Sequence, residues 1–325
     1  MRAYLDFDVE EGEELLVKFA LSNVSIAGAL NNLNAEVNHW DFDKTKQEAQ
    51  QKWEHELSKI QIGTETEAQK TTFYTALYHT MLSPVIYEDV DGSYRGLDQN
   101  IHQSDGFENY SIFSLWDTYR NMHPLTSLVY PKQQSDMIKS MLEMYDENGW
   151  LPKWELNSTE TFTMVGDPAS IVIVDACLKG IQDFDFNKAY YAMLKGADKT
   201  ENNPLRPGLK EYIEKGYVST KYPGPVSTTL EYNTSDYAIS LLAKALGEKD
   251  DYKRFTKRSL SYRKLYDKDL KLLRPRTADG KWYEPFDPEA GANFQENVGF
   301  IEGNAWQYAF MVPHHIKGLI KLMGG

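Results

Sequence analysis

Beyond Gly63 the sequence runs as one amphipathic stretch after another, at roughly 66–82, 114–128, 133–147, 168–182, 186–196, 228–246, 249–266 and 302–322. Apolar residues recur at helical spacing, and strands do not alternate with helices. Such a chain folds helix on helix, because each stretch has one apolar face and no sheet to bury it against. The expected fold is therefore mainly α. Successive hairpins suggest an α/α toroid whose inner helix ends surround a central cleft; a plain bundle or solenoid stays open, although no repeat at a fixed period is visible. Long aromatic and glycine-containing segments separate the helices at 90–109, 150–167, 215–225 and 274–299. Ordered loops of that length in a helical domain are commonly the ones that bind or act.

The N-terminal part is patterned differently. Residues 3–7 and 14–25 carry two strand-like patterns, too few to make a stable sheet alone, so residues 1–40 read as the far edge of a β domain lying outside this sequence. Residues 42–60 form a polar, charged helical pattern with Trp53 and Leu57 on one face and Asp43 as its cap, and 41–63 is expected to be a linker helix.

Composition excludes several classes. A net charge of -13 with no Lys/Arg cluster argues against a nucleic-acid partner. No run of ~20 apolar residues exists to span a bilayer, so no membrane partner is expected, and residues 1–7 do not form a secretory signal. A lone cysteine, Cys177, allows no intrachain disulfide and is read as core packing. No His-Glu-x-x-His, cysteine pair or complete calcium loop occurs, Asp89 to Gly92 reads as a polar turn, and His314 and His315 read as a solvated pair.

Four motifs carry candidate chemistry. In Gly299 to Tyr308, Glu302 lies among Phe300, Trp306 and Tyr308 with Gln307 alongside; an aromatic wall would desolvate the carboxyl and raise its pKa toward that of a general acid. In Ser114 to Arg120, Asp117 lies beside Trp116 and three residues before Arg120, so the pair is expected to share a helix face. An ionised Asp117 would accept hydrogen bonds from sugar hydroxyls; a plain surface salt bridge is the competing reading. In Trp150 to Pro168, Trp154 and Glu155 are candidate ligand contacts, whereas Asp167 before Pro168 reads as a helix cap. In Ser227 to Asn233, Glu231 is either a site carboxylate or a first-turn charge favouring the helix dipole. Aromatic residues make up 13% of the chain and often sit beside polar groups, an arrangement suited to the C–H faces and hydroxyl edges of sugars.

Taken together and in this order, Ser114 to Arg120, Thr229 to Tyr232, Pro285 to Pro288 and Glu302 to Tyr308 with Val312-Pro313-His314 resemble the family 92 glycoside hydrolases, calcium-dependent exo-acting α-mannosidases. The resemblance covers almost the whole chain. It implies an incomplete (α/α)6 barrel over 64–325, preceded by the last strands of a β-sandwich in 1–40. It also implies an α-mannoside substrate, Glu302 as general acid, Asp117 as a contact to the terminal mannose, a bound calcium ion, and a periplasmic or extracellular location. Trp116, Trp154, Glu155, Glu231, Trp306 and Gln307 would shape the pocket.

An inverting mechanism needs a second carboxylate as base. The family carries it in a Gly-Asn-Asp motif, and a Gly-Asn-Glu-Pro segment lies near its calcium; neither occurs in this sequence. The base, the calcium ligands and the sandwich loops are therefore expected in remaining parts of a longer protein, and the chain alone is expected to have little activity. Another (α/α)6-barrel glycosidase, such as a glucosidase, and a catalytically silent sugar-binding protein remain as alternatives.

Overall fold

In the computed structural model, which describes residues 4–291 and 299–325, the chain is mainly helical. The strand-like patterns at its start form no strand among the described residues; the first regular element is instead helix α1 (Ile26–Glu36), capped by the Ser25 side chain accepting from the Gly28 N–H. An alternating segment becomes a strand only when a neighbour takes up its backbone hydrogen bonds, and none does so among the described residues. Helix α2 (Phe42–Leu57) matches the linker pattern, but its cap is Asp41, accepting from the Lys44 N–H, rather than Asp43. Helix α3 (Glu67–His79) begins with a reciprocal capping box between Thr66 and Gln69.

The stretch expected at 114–128 divides into α4 (Leu115–Thr118) and α5 (Met122–Val129). Helices α6 (Pro131–Asn148), α7 (Pro168–Leu178) and α8 (Phe186–Asp198) follow within a few residues of their periodic patterns. A short α9 (Leu209–Lys215) precedes α10 (Pro225–Leu246), which is followed by α11 (Lys249–Ser259). The last stretch divides into α12 (Ala305–Tyr308) and α13 (Ile316–Met323). Among the described residues, four two-stranded antiparallel ladders interrupt the helices; one pairs Phe113–Ser114 with Trp154–Glu155, bringing Trp154 opposite Ser114.

Helix α10 organises the interior. It is buried on nearly every face, as expected of a helix inside a helical domain. Its C-terminal half joins Ile138, Met141, Val172, Ile173 and Met193 in one core. Its N-terminal residues Val226 and Leu230 join Tyr262, Leu273, Phe300 and Leu319 in a second. Polar burial beside these cores is paired: Arg206, fully buried, donates to Asp167 at 2.8 and 3.0 Å and to Asp236 at 2.8 Å. Asp167 thus occupies the cap position of α7 while its side chain forms an ion pair instead of capping. His314 and His315 are not a solvated pair: His314 Nε2 donates to the Ser259 carbonyl at 2.8 Å, and His315 Nδ1 lies 2.9 Å from the Tyr262 hydroxyl. Cys177 is half-buried against the first core.

Candidate active site

The site assembles around the first two turns of α10. Glu231 is 1% exposed, and its carboxylate accepts three hydrogen bonds: from Trp116 Nε1 at 3.1 Å, the Tyr119 hydroxyl at 3.0 Å and Arg120 Nη2 at 2.8 Å. Burial pushes its pKa up, opposed by the charge and hydrogen bond of Arg120. The Arg120 guanidinium also lies over the rings of Tyr119 and Trp116, 4.6 and 5.2 Å from their centroids. Gly166, with φ +97°, passes so close that a Cβ there would sit 2.9 Å from the Glu231 Cβ.

This arrangement corrects the expected pairing of Asp117 with Arg120. Arg120 turns to Glu231, because a buried carboxylate without a cation costs far more than an exposed one. Asp117 is left exposed beside the buried Trp116. Glu231 in turn is neither a dipole-favouring surface charge nor exposed to a ligand; its oxygens are occupied by protein donors.

Glu155 is likewise corrected as a ligand contact. It is fully buried and accepts from the Ser111 hydroxyl at 2.9 Å, the Ile112 N–H at 3.0 Å and the Ser158 N–H at 2.7 Å, closing a turn instead of facing a cleft. Burial raises its pKa to about 7. Trp154, its neighbour, is half-buried. The segment that follows carries backbone strain: Asn157, Ser158, Phe162 and Met164 all have φ between +47° and +67°. Non-glycine residues adopt that region at a cost of about 1 kcal/mol or more, and such strain concentrates at binding and catalytic loops.

Glu302 has the same left-handed backbone, φ +49°, and it is exposed. The aromatic enclosure suggested by its neighbours does not form around it: Phe300 turns into the core, the Tyr308 hydroxyl donates to the Ile301 carbonyl at 2.7 Å, and Trp306 stands 56% exposed. Residues 299–301 dock onto the start of α10. The Val226 N–H donates to the Gly299 carbonyl and the Ile301 N–H to the Ser227 hydroxyl, both at 2.9 Å. Gly224, at φ +52°, makes room for Ile301, whose Cγ1 would lie 2.4 Å from a Cβ there. Asn304 caps α12 by accepting from the Trp306 and Gln307 N–H groups at 3.1 Å, and Gln307 returns a carbonyl to the Asn304 N–H at 2.9 Å. Gln307 therefore has a structural job, although its exposed amide keeps its N–H₂ and a second lone pair of its oxygen for a ligand. The Pro285 to Pro288 motif adjoins the same loop, the Pro288 carbonyl accepting from the Ala305 N–H at 3.2 Å; residues 292–298 of the segment at 274–299 lie outside the described residues.

Tyr308 connects the two halves. Its pKa is raised to about 12, first by burial, and it feels the charges of Glu231, Arg120 and Glu302. Trp116, Asp117, Glu231, Glu302, Trp306 and Gln307 thus gather on segments fixed to one helix. The sequence reading missed Tyr119, Arg120 and Ser227 as parts of this framework. Ser227 and Glu231 are spaced as neighbours on one helix face, a signal that was readable; the link from Arg120 to Glu231 spans 111 residues and leaves no local trace.

The glycosyl hydrolase family 92 catalytic domain matches residues 28–325. The fold is similar to a family 92 α-mannosidase from Bacteroides thetaiotaomicron, at 40% identity and a TM-score of 0.86 over 93% of this chain and 40% of that one. A complex of the same enzyme with mannoimidazole matches at a TM-score of 0.87 and 39% identity, again covering 93% of this chain and 40% of the other. A family 92 inverting mannosidase from the same organism matches at 31% identity and a TM-score of 0.87, over 94% of this chain and 41% of that one. An uncharacterized secreted glycosidase of Arthroderma benhamiae is 27% identical over 99% of this chain and 42% of its own length. The chain thus spans about two-fifths of the length of these relatives. By the match over residues 28–325, this chain belongs to glycosyl hydrolase family 92.

Proposed function

We propose that this chain supplies the acid half of an inverting exo-α-mannosidase, with Glu302 as general acid. The observation that carries the reading is the placement of Glu302: exposed, held in a strained backbone conformation, beside an exposed Trp306 and on a loop anchored to α10. Catalytic groups are often held in strained conformations that surrounding packing enforces. The mannoimidazole complex of a relative supports a mannoside as the ligand.

In this reading Asp117 accepts hydrogen bonds from hydroxyls of the terminal mannose, while Trp306 and the edge of Trp154 offer apolar surface to its C–H face. Glu302 delivers its proton to the glycosidic oxygen as the bond to the anomeric carbon breaks. Water attacks from the opposite face and yields its own proton to a second carboxylate roughly 6.5–9.5 Å away, inverting the configuration. That base belongs to a segment outside this sequence, as does the β-sandwich of which residues 1–40 would be the end. Residues 41–63 would be the linker and 64–325 part of the (α/α)6 barrel. The relative named a secreted glycosidase supports a periplasmic or extracellular location, and mannans or N-glycans are the substrates this reading proposes for the full-length enzyme. No helix among the described residues is long and apolar enough to cross a membrane.

Calcium is implied by the family, but these residues do not fit it. No three His, Cys, Asp or Glu side chains converge among the described residues, and the oxygens of Glu231 and Glu155 already accept from protein donors. No step is assigned to the ion here.

The test is mannose release by the full-length protein that carries this chain. Glu302→Gln is expected to lower kcat/KM on an alkyl α-mannoside by 10²–10⁴-fold, the usual contribution of a general acid. On dinitrophenyl α-mannoside, whose leaving group needs no proton, the loss should be slight. Equal losses on both substrates would remove Glu302 from the acid role.

A further inference from the structure

Three segments of the site are fastened to one stripe of α10 at intervals of four residues. Ser227 accepts from the Ile301 N–H, directly before Glu302, at 2.9 Å. Glu231 accepts from Trp116, Tyr119 and Arg120, the residues that flank Asp117. Ser235 donates to the Asp167 carbonyl at 2.9 Å, at the end of the strained segment. Ser227, Ser235 and Glu231 are all 1% exposed or less. Residues four apart on a helix face the same way and are separated by about 6 Å along its axis, so spacings between the three segments are set by helix geometry and not by loop conformation.

We propose that Glu231 is a positioning residue rather than a sugar ligand: with Ser227 it makes the face of α10 a template that fixes Asp117 relative to Glu302. The inference rests on the proposed mannosidase reading for its kinetic consequence, while its structural part stands on the hydrogen bonds alone. The three donors to Glu231 come from a segment five residues long, Trp116 to Tyr119 and Arg120, so a single carboxylate fixes both the position and the tilt of the short helix α4. A charge-neutral replacement offers one acceptor oxygen in place of two and turns an N–H₂ toward a donor, which leaves the segment free to shift. A displacement of about 1 Å between positioning and reacting groups costs on the order of 10²-fold in rate.

The experiment has two readouts on the same variants. In hydrogen exchange of the full-length protein, Glu231→Gln is expected to speed exchange of residues 115–121 by at least tenfold and leave 299–304 near the wild-type rate, while Ser227→Ala does the reverse. In the full-length protein, Glu231→Gln is expected to lower kcat/KM for an aryl α-mannoside by 10–100-fold in the wild-type background and to add little in an Asp117→Asn background, since it acts through Asp117. Exchange that rises in both segments together, or in neither, overturns the template, and Ser227→Ala decides this even if Glu231→Gln fails to fold. Additive kinetic losses overturn the action through Asp117. If the full-length protein releases no mannose the mannosidase reading fails, and if Asp117→Asn and Glu302→Gln both leave the release unchanged the roles given to those two residues fail; in either case the exchange result still decides the template.

Discussion

Arg120 Nη2 lies 2.8 Å from Glu231 Oε1, and the two ends of this ion pair have different access to water: the arginine side chain is 37% exposed and the glutamate 1%. The carboxylate therefore depends on the arginine, whereas the arginine retains partial hydration without it. Arg120→Met should leave a nearly buried, less compensated carboxylate and destabilise the chain by about 1–3 kcal/mol, a range below that of fully buried pairs because water already screens part of this one. Glu231 has a pKa raised above its ordinary value even with Arg120 present, so its contribution to stability is complete below the unfolded value and is lost as pH rises. Removing Arg120 raises the folded pKa further. Denaturation at pH 5 and pH 8 checks this: the penalty of Arg120→Met should be smaller at the lower pH, and a penalty independent of pH would count against it.

Glu302 occupies the left-handed region, where a side chain costs roughly 1–2 kcal/mol and glycine almost nothing. Glycine also loses more entropy on folding, so Glu302→Gly should stabilise the chain by a few tenths to about 1 kcal/mol while removing the acid. A thermal melt of the variant showing a lower midpoint than wild type would mean that the loop does not store strain at this residue.

Glu155 carries a pKa raised to about 7 from 4.5, first by burial and against the hydrogen bonds from Ser111, Ser158 and Ile112. The folded chain holds that proton more tightly than the unfolded chain does. Its contribution is present in full below 4.5 and declines as pH rises through 7, by about 3 kcal/mol in all at 1.36 kcal/mol per pKa unit. Glu155→Gln sacrifices an acceptor yet removes the titration, so the stability difference between wild type and variant should move in favour of the variant between about pH 5 and pH 8. Urea melts across that range measure the slope directly.

Arg206 holds two buried carboxylates, Asp167 and Asp236, and Arg258 shares the second, with its Nη2 2.8 Å from Asp236 Oδ1. Arg206→Met should cost about 3–5 kcal/mol, because it strands Asp167 in the interior. Adding Asp167→Asn should recover part of that loss, as the stranded charge is then gone. A double mutant no more stable than Arg206→Met would show that the loss arises from packing rather than charge.

Much of the helical framework was legible. The apolar spacing at 133–147 and 168–182 becomes α6 and α7 almost unchanged, since one apolar face per helix suffices to specify burial. Helix α1 was also readable, from Ser25 followed by Ile26, Leu30 and Leu33 at helical spacing, but the shorter alternation around it drew the strand reading. Strand patterns are the weaker signal because a strand needs a partner to exist, while a helix satisfies its own backbone.

Local sequence determined the helices and selected the motifs, and four carboxylates flanked by aromatics, at 117, 155, 231 and 302, looked alike as candidates. Only the tertiary structure separated them. Asp117 and Glu302 face solvent, whereas Glu155 and Glu231 are buried and saturated by protein donors. Neighbours in sequence cannot decide that outcome alone, because beside the local Ser158 N–H the partners of Glu155 come from a segment 43 residues away, and those of Glu231 from one 111 residues away. Burial is a property of what packs against a group, and the partner that a buried charge requires is chosen by the fold that surrounds it.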